Sequence, residues 1–136
     1  MGAKQVSLTY LDACTIIYLV EGTLSVQQTF TTRLSTHQPS GLTTSRLSRL
    51  ECRVGPLKNS DASLLSTYEA FFSAAGLTII ELTANIIERA TTLRAVYGFR
   101  TPDALHLASA VEVNADVFIT GDGKLTRCKE VRVDVI

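Results

Sequence analysis

Short apolar runs alternate with stretches of helical period along the whole chain, and that alternation leaves few folds open. The first run is Val6 to Leu11. Ile16 to Val20 reads as a short apolar helix ended by Gly22. Val26, Phe30 and Leu34 recur at the period of an amphipathic helix from Leu24 to His37. Pro39-Ser40-Gly41 breaks that helix, and Leu42-Thr43-Thr44 is a short strand. Ser45 caps a helix that reaches Val54 and stops at Gly55-Pro56. Ser60 or Asp61 caps the next, which carries Leu64, Leu65, Tyr68, Phe71 and Phe72 and stops at Gly76. Leu77 to Leu82 is a strand, and Thr83 caps a helix closed by Gly98. Thr101-Pro102-Asp103 starts another helix with a capping hydroxyl, an early proline and a first-turn acid. Val117 to Thr120 and Val131 to Ile136 are the last strands. Strands separated by helices form βαβ units. The expectation is one α/β domain over residues 1–136, with a mostly parallel central sheet flanked by helices.

Lys+Arg and Asp+Glu balance at 13 each, so no global charge advertises nucleic-acid binding and any such contact must be local. No apolar run approaches the roughly 20 residues of a membrane span. Met1-Gly2-Ala3-Lys4 lacks the apolar segment and cleavage site of a signal peptide. Cys14, Cys52 and Cys128 are odd in number and widely spaced, which fits neither a zinc set nor a disulfide framework. They read as reduced cytosolic thiols, and the expected location is the cytoplasm.

Asp12 ends the first strand and Asp122 follows the Val117–Thr120 run, while Glu51 and Asp103 lie on helical stretches between them. In open parallel sheets ligands bind beyond the carboxyl ends of the strands. Asp12 interrupts an apolar stretch, where a buried carboxylate is costly unless paired or bound to metal. On its helix Glu51 lies at the edge of the stripe Leu47, Leu50 and Val54, nearly opposite Arg46, Arg49 and Arg53. Asp61 reads as a cap, and Asp116, which begins the fourth strand, as structural. Clustered carboxylates repel one another, and a hard Mg²⁺ or Mn²⁺ ion removes that penalty. An acid-only site with retained waters suits phosphoryl chemistry. Cys14 lacks the Arg at position 20 that a phosphatase loop needs, and it also occupies the place of an aspartyl-phosphatase's second Asp. His106 reads as a surface or packing residue that could also reach a phosphate or a site acid; His37 reads as an exposed helix end. Lys124, Arg127 and Lys129 follow Asp122 and are candidates for phosphate contact. The stripe Arg46, Arg49 and Arg53 reads as a solvated face, or as a track for RNA or an acidic partner.

Tyr10-Leu11-Asp12-Ala13-Cys14, Leu47-Ser48-Arg49-Leu50-Glu51, Thr101-Pro102-Asp103-Ala104-Leu105-His106-Leu107-Ala108 and Ile119-Thr120-Gly121-Asp122 resemble, in order, the motifs of PIN-domain ribonucleases, above all the VapC-type toxins. The resemblance covers almost the whole chain. It implies a three-layer PIN-like fold and a metal-dependent endoribonuclease that is the toxin of a toxin–antitoxin pair. It makes Asp12, Glu51, Asp103 and Asp122 the catalytic, metal-binding acids, with Mg²⁺ or Mn²⁺ as cofactor. Thr120 matches the small hydroxyl residue that positions the last acid. The family often has Ser or Asn where this chain has Cys14, and Thr15 offers a hydroxyl instead. The resemblance also implies an RNA substrate, a homodimer, and a small antitoxin that inserts a segment into the cleft. The alternatives are a non-catalytic RNA-binding or scaffold domain on the same fold, and a phosphatase on a similar sheet.

Overall fold

The computed structural model describes residues 7–37 and 39–136. Strands β1 (Ser7–Leu11), β2 (Pro39–Ser45), β3 (Leu77–Ile80), β4 (Val117–Thr120) and β5 (Val133–Val135) form a sheet in the order β3-β2-β1-β4-β5. Every neighbouring pair is parallel. The helices are α1 (Ala13–Glu21), α2 (Leu24–Thr36), α3 (Arg46–Lys58), α4 (Ala62–Phe72), α5 (Ala84–Tyr97) and α6 (Thr101–Glu112). A 3-10 turn, Gly123–Arg127, precedes β5. The expected three-layer α/β arrangement is present. Val6, the first residue of the expected first strand, lies outside the described residues.

Successive side chains on a strand point to opposite faces of the sheet. Tyr10 and Phe118 enter a core with Ile86, Leu93 and Leu107 beneath α5 and α6. Leu11, Val117 and Ile119 enter the other core, with Ile16, Phe30, Tyr68 and Phe72. Both faces of the central strands are covered, which is why those strands read as nearly continuous apolar runs. Among the described residues no helix is long and apolar enough to cross a membrane.

Strand order reverses at β1. The chain builds β2 and β3 on one side of it and returns to place β4 and β5 on the other. The crevice beyond the carboxyl ends of β1 and β4 is the place where such sheets bind ligands. At the opposite edge Asp116 takes the structural role expected of it. Its Oδ2 accepts from the Leu8 N–H at 2.7 Å, and its own N–H donates to the Leu8 carbonyl at 2.8 Å.

Several element boundaries differ from the sequence reading: β3 and β5 are shorter than the expected Leu77–Leu82 and Val131–Ile136, and α1 is longer than the expected Ile16–Val20. Strand β2 begins at Pro39, because a proline at the first position of a strand need not donate to the ladder. Helix α4 ends at Phe72, before Gly76. Helix α6 takes in Thr101, with Arg100 as an N-cap that makes no side-chain capping bond; the Thr101 hydroxyl accepts from Arg94 instead, at 3.1 Å. Helix α3 runs through Gly55-Pro56 to Lys58. A proline this far into a helix gives up the bond to the carbonyl four residues back and crowds it, and Pro56 is buried in line with Ser48 and Cys52.

That line corrects a further expectation. Leu50 and Val54, at 58% and 54% exposure, face solvent with Leu57, and the small residues Ser48 and Cys52 face inward. Ser48 Oγ hydrogen-bonds Thr44 Oγ1 at 2.7 Å, and the Cys52 thiol lies 3.9 Å from the Ala13 carbonyl. The helix packs by a narrow edge of small residues and leaves Leu50, Val54 and Leu57 outside.

Candidate active site

Asp12 stands at the end of β1, caps α1, and is only 5% exposed. Its Oδ1 accepts from the Thr15 N–H at 2.9 Å, and its Oδ2 accepts from the Thr120 hydroxyl at 2.7 Å. Burial pushes its carboxyl above the ordinary aspartate range. The hydrogen bonds from Thr120 and the Thr15 backbone, and nearby His106, oppose that rise. Thr120 Oγ1 also accepts from the Asp122 N–H at 3.1 Å, so one hydroxyl joins the first acid to the last. The Thr15 hydroxyl, expected to serve an acid, donates to the Ile119 carbonyl at 2.9 Å. The backbone N–H of Thr15 holds Asp12 directly, and the Thr15 hydroxyl, though committed to that carbonyl, lies near enough to favour the ionised carboxylate as well. Burial and the neighbouring Asp12 push the Cys14 thiol up, which keeps it protonated and unsuited to nucleophilic attack.

Asp103, in the first turn of α6, lies 3.3 Å from Arg100 Nε. Asp122 caps the 3-10 turn by accepting from the Lys124 N–H at 2.9 Å. Asp103 and Asp122 line one pocket of about 80 Å³ with Arg100, Lys124 and Arg127. Arg127 is anchored there: it donates to the Tyr97 carbonyl at 2.6 Å, and its guanidinium stands over Phe99 at 5.5 Å. Lys129 is not among that pocket's lining residues, and its backbone N–H donates to Tyr97 Oη at 3.1 Å. Sequence reading missed Arg100. Its signal was its place three residues before Asp103, the spacing of side-chain neighbours on a helix.

Glu51 lines a separate pocket of about 170 Å³ with Ile17, Glu21, Asn59 and Asp61. Asp61 caps α4 as expected, accepting from the Leu64 N–H at 3.0 Å. Glu51 Oε1 lies 2.7 Å from His106 Nε2. His106 is buried and bonded to a site acid, so its surface reading is corrected. His37 is likewise not free at a helix end; its Nε2 pairs with Asp134 Oδ2 at 2.6 Å.

Among the described residues no three His, Cys, Asp or Glu side chains lie close enough together to form a ready metal set. Like-charged carboxylates separate toward their own partners: Asp103 toward Arg100, Glu51 toward His106, Asp122 toward a backbone N–H. The donors still fit a hard divalent cation in their chemistry. All are oxygens, and each Asp12 oxygen retains a lone pair beyond the bond it accepts. The arginines of α3 are engaged within the molecule. Arg46 pairs with Glu81, and Arg49 and Arg53 pair with Glu69 at 2.9 and 3.3 Å, fastening α3 to α4.

The family model described as PIN domain matches residues 9–131. No curated protein matches the chain. Among solved structures, VapBC2 from Rickettsia felis bound to a promoter DNA fragment is 18% identical. The match covers 94% of this chain and 98% of that one, with a TM-score of 0.78. A toxin–antitoxin complex from Klebsiella pneumoniae is 24% identical, covering 90% and 94%, with a TM-score of 0.70. VapC20 from Mycobacterium tuberculosis, a sarcin–ricin-loop-cleaving toxin, is 17% identical, covering 91% and 98%, with a TM-score of 0.73. At these identities the likeness establishes a shared fold.

Proposed function

The chain belongs to the PIN domain family, and on that premise we propose that it is a metal-dependent endoribonuclease, the toxin of a toxin–antitoxin pair acting in the cytoplasm. Its working acids in this reading are Asp12, Glu51, Asp103 and Asp122. The observation that carries the reading is the Thr120 hydroxyl, which joins Asp12 to the Asp122 backbone where the strand order reverses.

The reaction is hydrolysis of a phosphodiester. A water oxygen forms a bond to phosphorus, the bond to the leaving oxygen breaks, the water's proton passes to a carboxylate, and the leaving oxygen takes a proton from solvent. Asp12 would take that proton, because burial raises its proton affinity and so its basicity. Arg100, Lys124 and Arg127 surround the pocket shared by Asp103 and Asp122 and would hold the phosphate by charge-assisted hydrogen bonds. Bound Mg²⁺ or Mn²⁺ among the carboxylate oxygens would polarise the phosphate and acidify the water.

The partner in this reading is a small antitoxin that inserts a segment into the cleft; a homodimer is the further assembly the family resemblance implies. The exposed Leu50, Val54 and Leu57 of α3 suit an apolar partner segment close to Glu51.

Incubation of the chain with RNA, with and without chelator, tests the reading. RNA is cut in Mg²⁺ or Mn²⁺, a generic phosphomonoester is left intact, and EDTA stops the reaction. Undiminished cleavage after full chelation would remove the metal mechanism. RNA binding with no cleavage in either metal would favour the scaffold alternative.

A further inference from the structure

His106 sits between a fully buried phenol and a half-buried acid. Its Nδ1 lies 2.7 Å from Tyr10 Oη, and its Nε2 lies 2.7 Å from Glu51 Oε1. Tyr10 is 0% exposed and stacked on Phe118, with ring centroids 5.2 Å apart and planes 8° from parallel, so its hydroxyl is fixed in place. Burial pushes its ionisation well above the ordinary tyrosine range, so the phenol keeps its proton. A phenol that donates to Nδ1 leaves the ring hydrogen on Nε2, and that N–H is directed at the carboxylate.

We propose that His106 is a positioning residue: its Nε2–H holds the Glu51 carboxylate in one orientation, and Tyr10 sets the tautomer that does so. The inference rests on the reading of these acids as a cation site. Glu51 hangs from α3 on three rotatable bonds, and the His106 contact restricts them from a different helix. His106 also follows Asp103 by one turn of α6, so a single helix face supplies one acid and aims another. Asp12 senses the same ring electrostatically. The imidazole thus touches one of the four acids, Glu51, and acts on Asp12 only through its field. A histidine that only filled the core could be satisfied from the core side; this one engages a partly exposed acid on another element. Outer partners that aim a ligand commonly change metal affinity by about 10–100-fold when lost.

Calorimetric titration of Mn²⁺ into the full-length chain tests this, with thermal melts to confirm folding. His106→Leu weakens Mn²⁺ binding at least about tenfold. His106→Gln, whose amide nitrogen reaches the position of Nε2, recovers most of the affinity. His106→Asn, which reaches only the Nδ1 position, does not. In a Glu51→Gln background, His106→Leu has no further effect. In RNA cleavage the Leu variant loses kcat and keeps KM. The proposal is overturned if the Leu variant binds Mn²⁺ like the wild type, if Gln and Asn are equivalent, or if the wild type binds no Mn²⁺. Should the Leu variant fail to fold, the Gln and Asn pair, polar and close in size, still decides. A chain that shows the expected Mn²⁺ pattern and cuts no RNA sinks the nuclease reading and leaves this one standing.

Discussion

Asp12 lowers the stability of the fold that holds it, and the sign of that effect is testable. Its folded-state pKa lies above the unfolded value, so the folded chain holds the extra proton between the two. Stability therefore falls as pH rises from the ordinary aspartate range through the raised value, and is level beyond it. Asp12→Asn abolishes that step. The Asn oxygen can keep the Thr15 N–H, and its amide can donate to Thr120, whose hydroxyl also accepts. In EDTA at neutral pH the variant is the more stable protein, by about 1.4 kcal/mol for each pH unit between the folded and unfolded pKa values, and it does not cut RNA. Denaturant melts across pH check this, and a variant less stable than the wild type would make Asp12 a structural acid. Asp12 was legible in the sequence because a carboxylate that ends an apolar run is conspicuous. The role of His106 was not, since its partners lie on β1 and α3 and only the folded chain brings them to one ring.

At the scale of elements the strand–helix order was legible, because both faces of the central strands are covered and their apolar runs are continuous. Helix α3 was misread for an equally physical reason. Periodicity counts apolar residues, but close packing against α1 favours small ones, so Ser48 and Cys52 go in while Leu50 and Val54 stay out. The pair Leu50→Lys with Val54→Lys should then change stability by less than about 0.5 kcal/mol, as surface substitutions do. Cys52→Leu, in contrast, overpacks a buried seam and costs about 1–3 kcal/mol. Thermal melts separate the two, and a large loss in the lysine variant would put that face back in the core. If the antitoxin covers α3, the lysine variant also fails to co-purify with it.

For the whole molecule, a net charge of zero means that attraction of a polyanion rests on where the cations sit. The arginines of α3 are paired with Glu81 and Glu69, whereas Arg100, Lys124 and Arg127 line the pocket of Asp103 and Asp122. Neutralising the pocket set should weaken RNA binding and flatten its salt dependence, each lost phosphate contact removing roughly 0.7 from the slope for single strands. Neutralising the α3 set should leave that slope in place and loosen the α3–α4 contact. Affinity measured against salt for both triple variants decides, and a slope carried by the α3 set would relocate the RNA path. The bond from Thr120 to Asp12 has a consequence in time as well as in space. It spans 108 residues of chain, and contacts so remote in sequence form late. During synthesis β1 leaves the ribosome with its acid long before β4 exists to flank it, so the growing polypeptide carries an unfinished cutting edge. Under the proposed activity, the message being translated is spared by the protein it encodes until the last strands have emerged and folded.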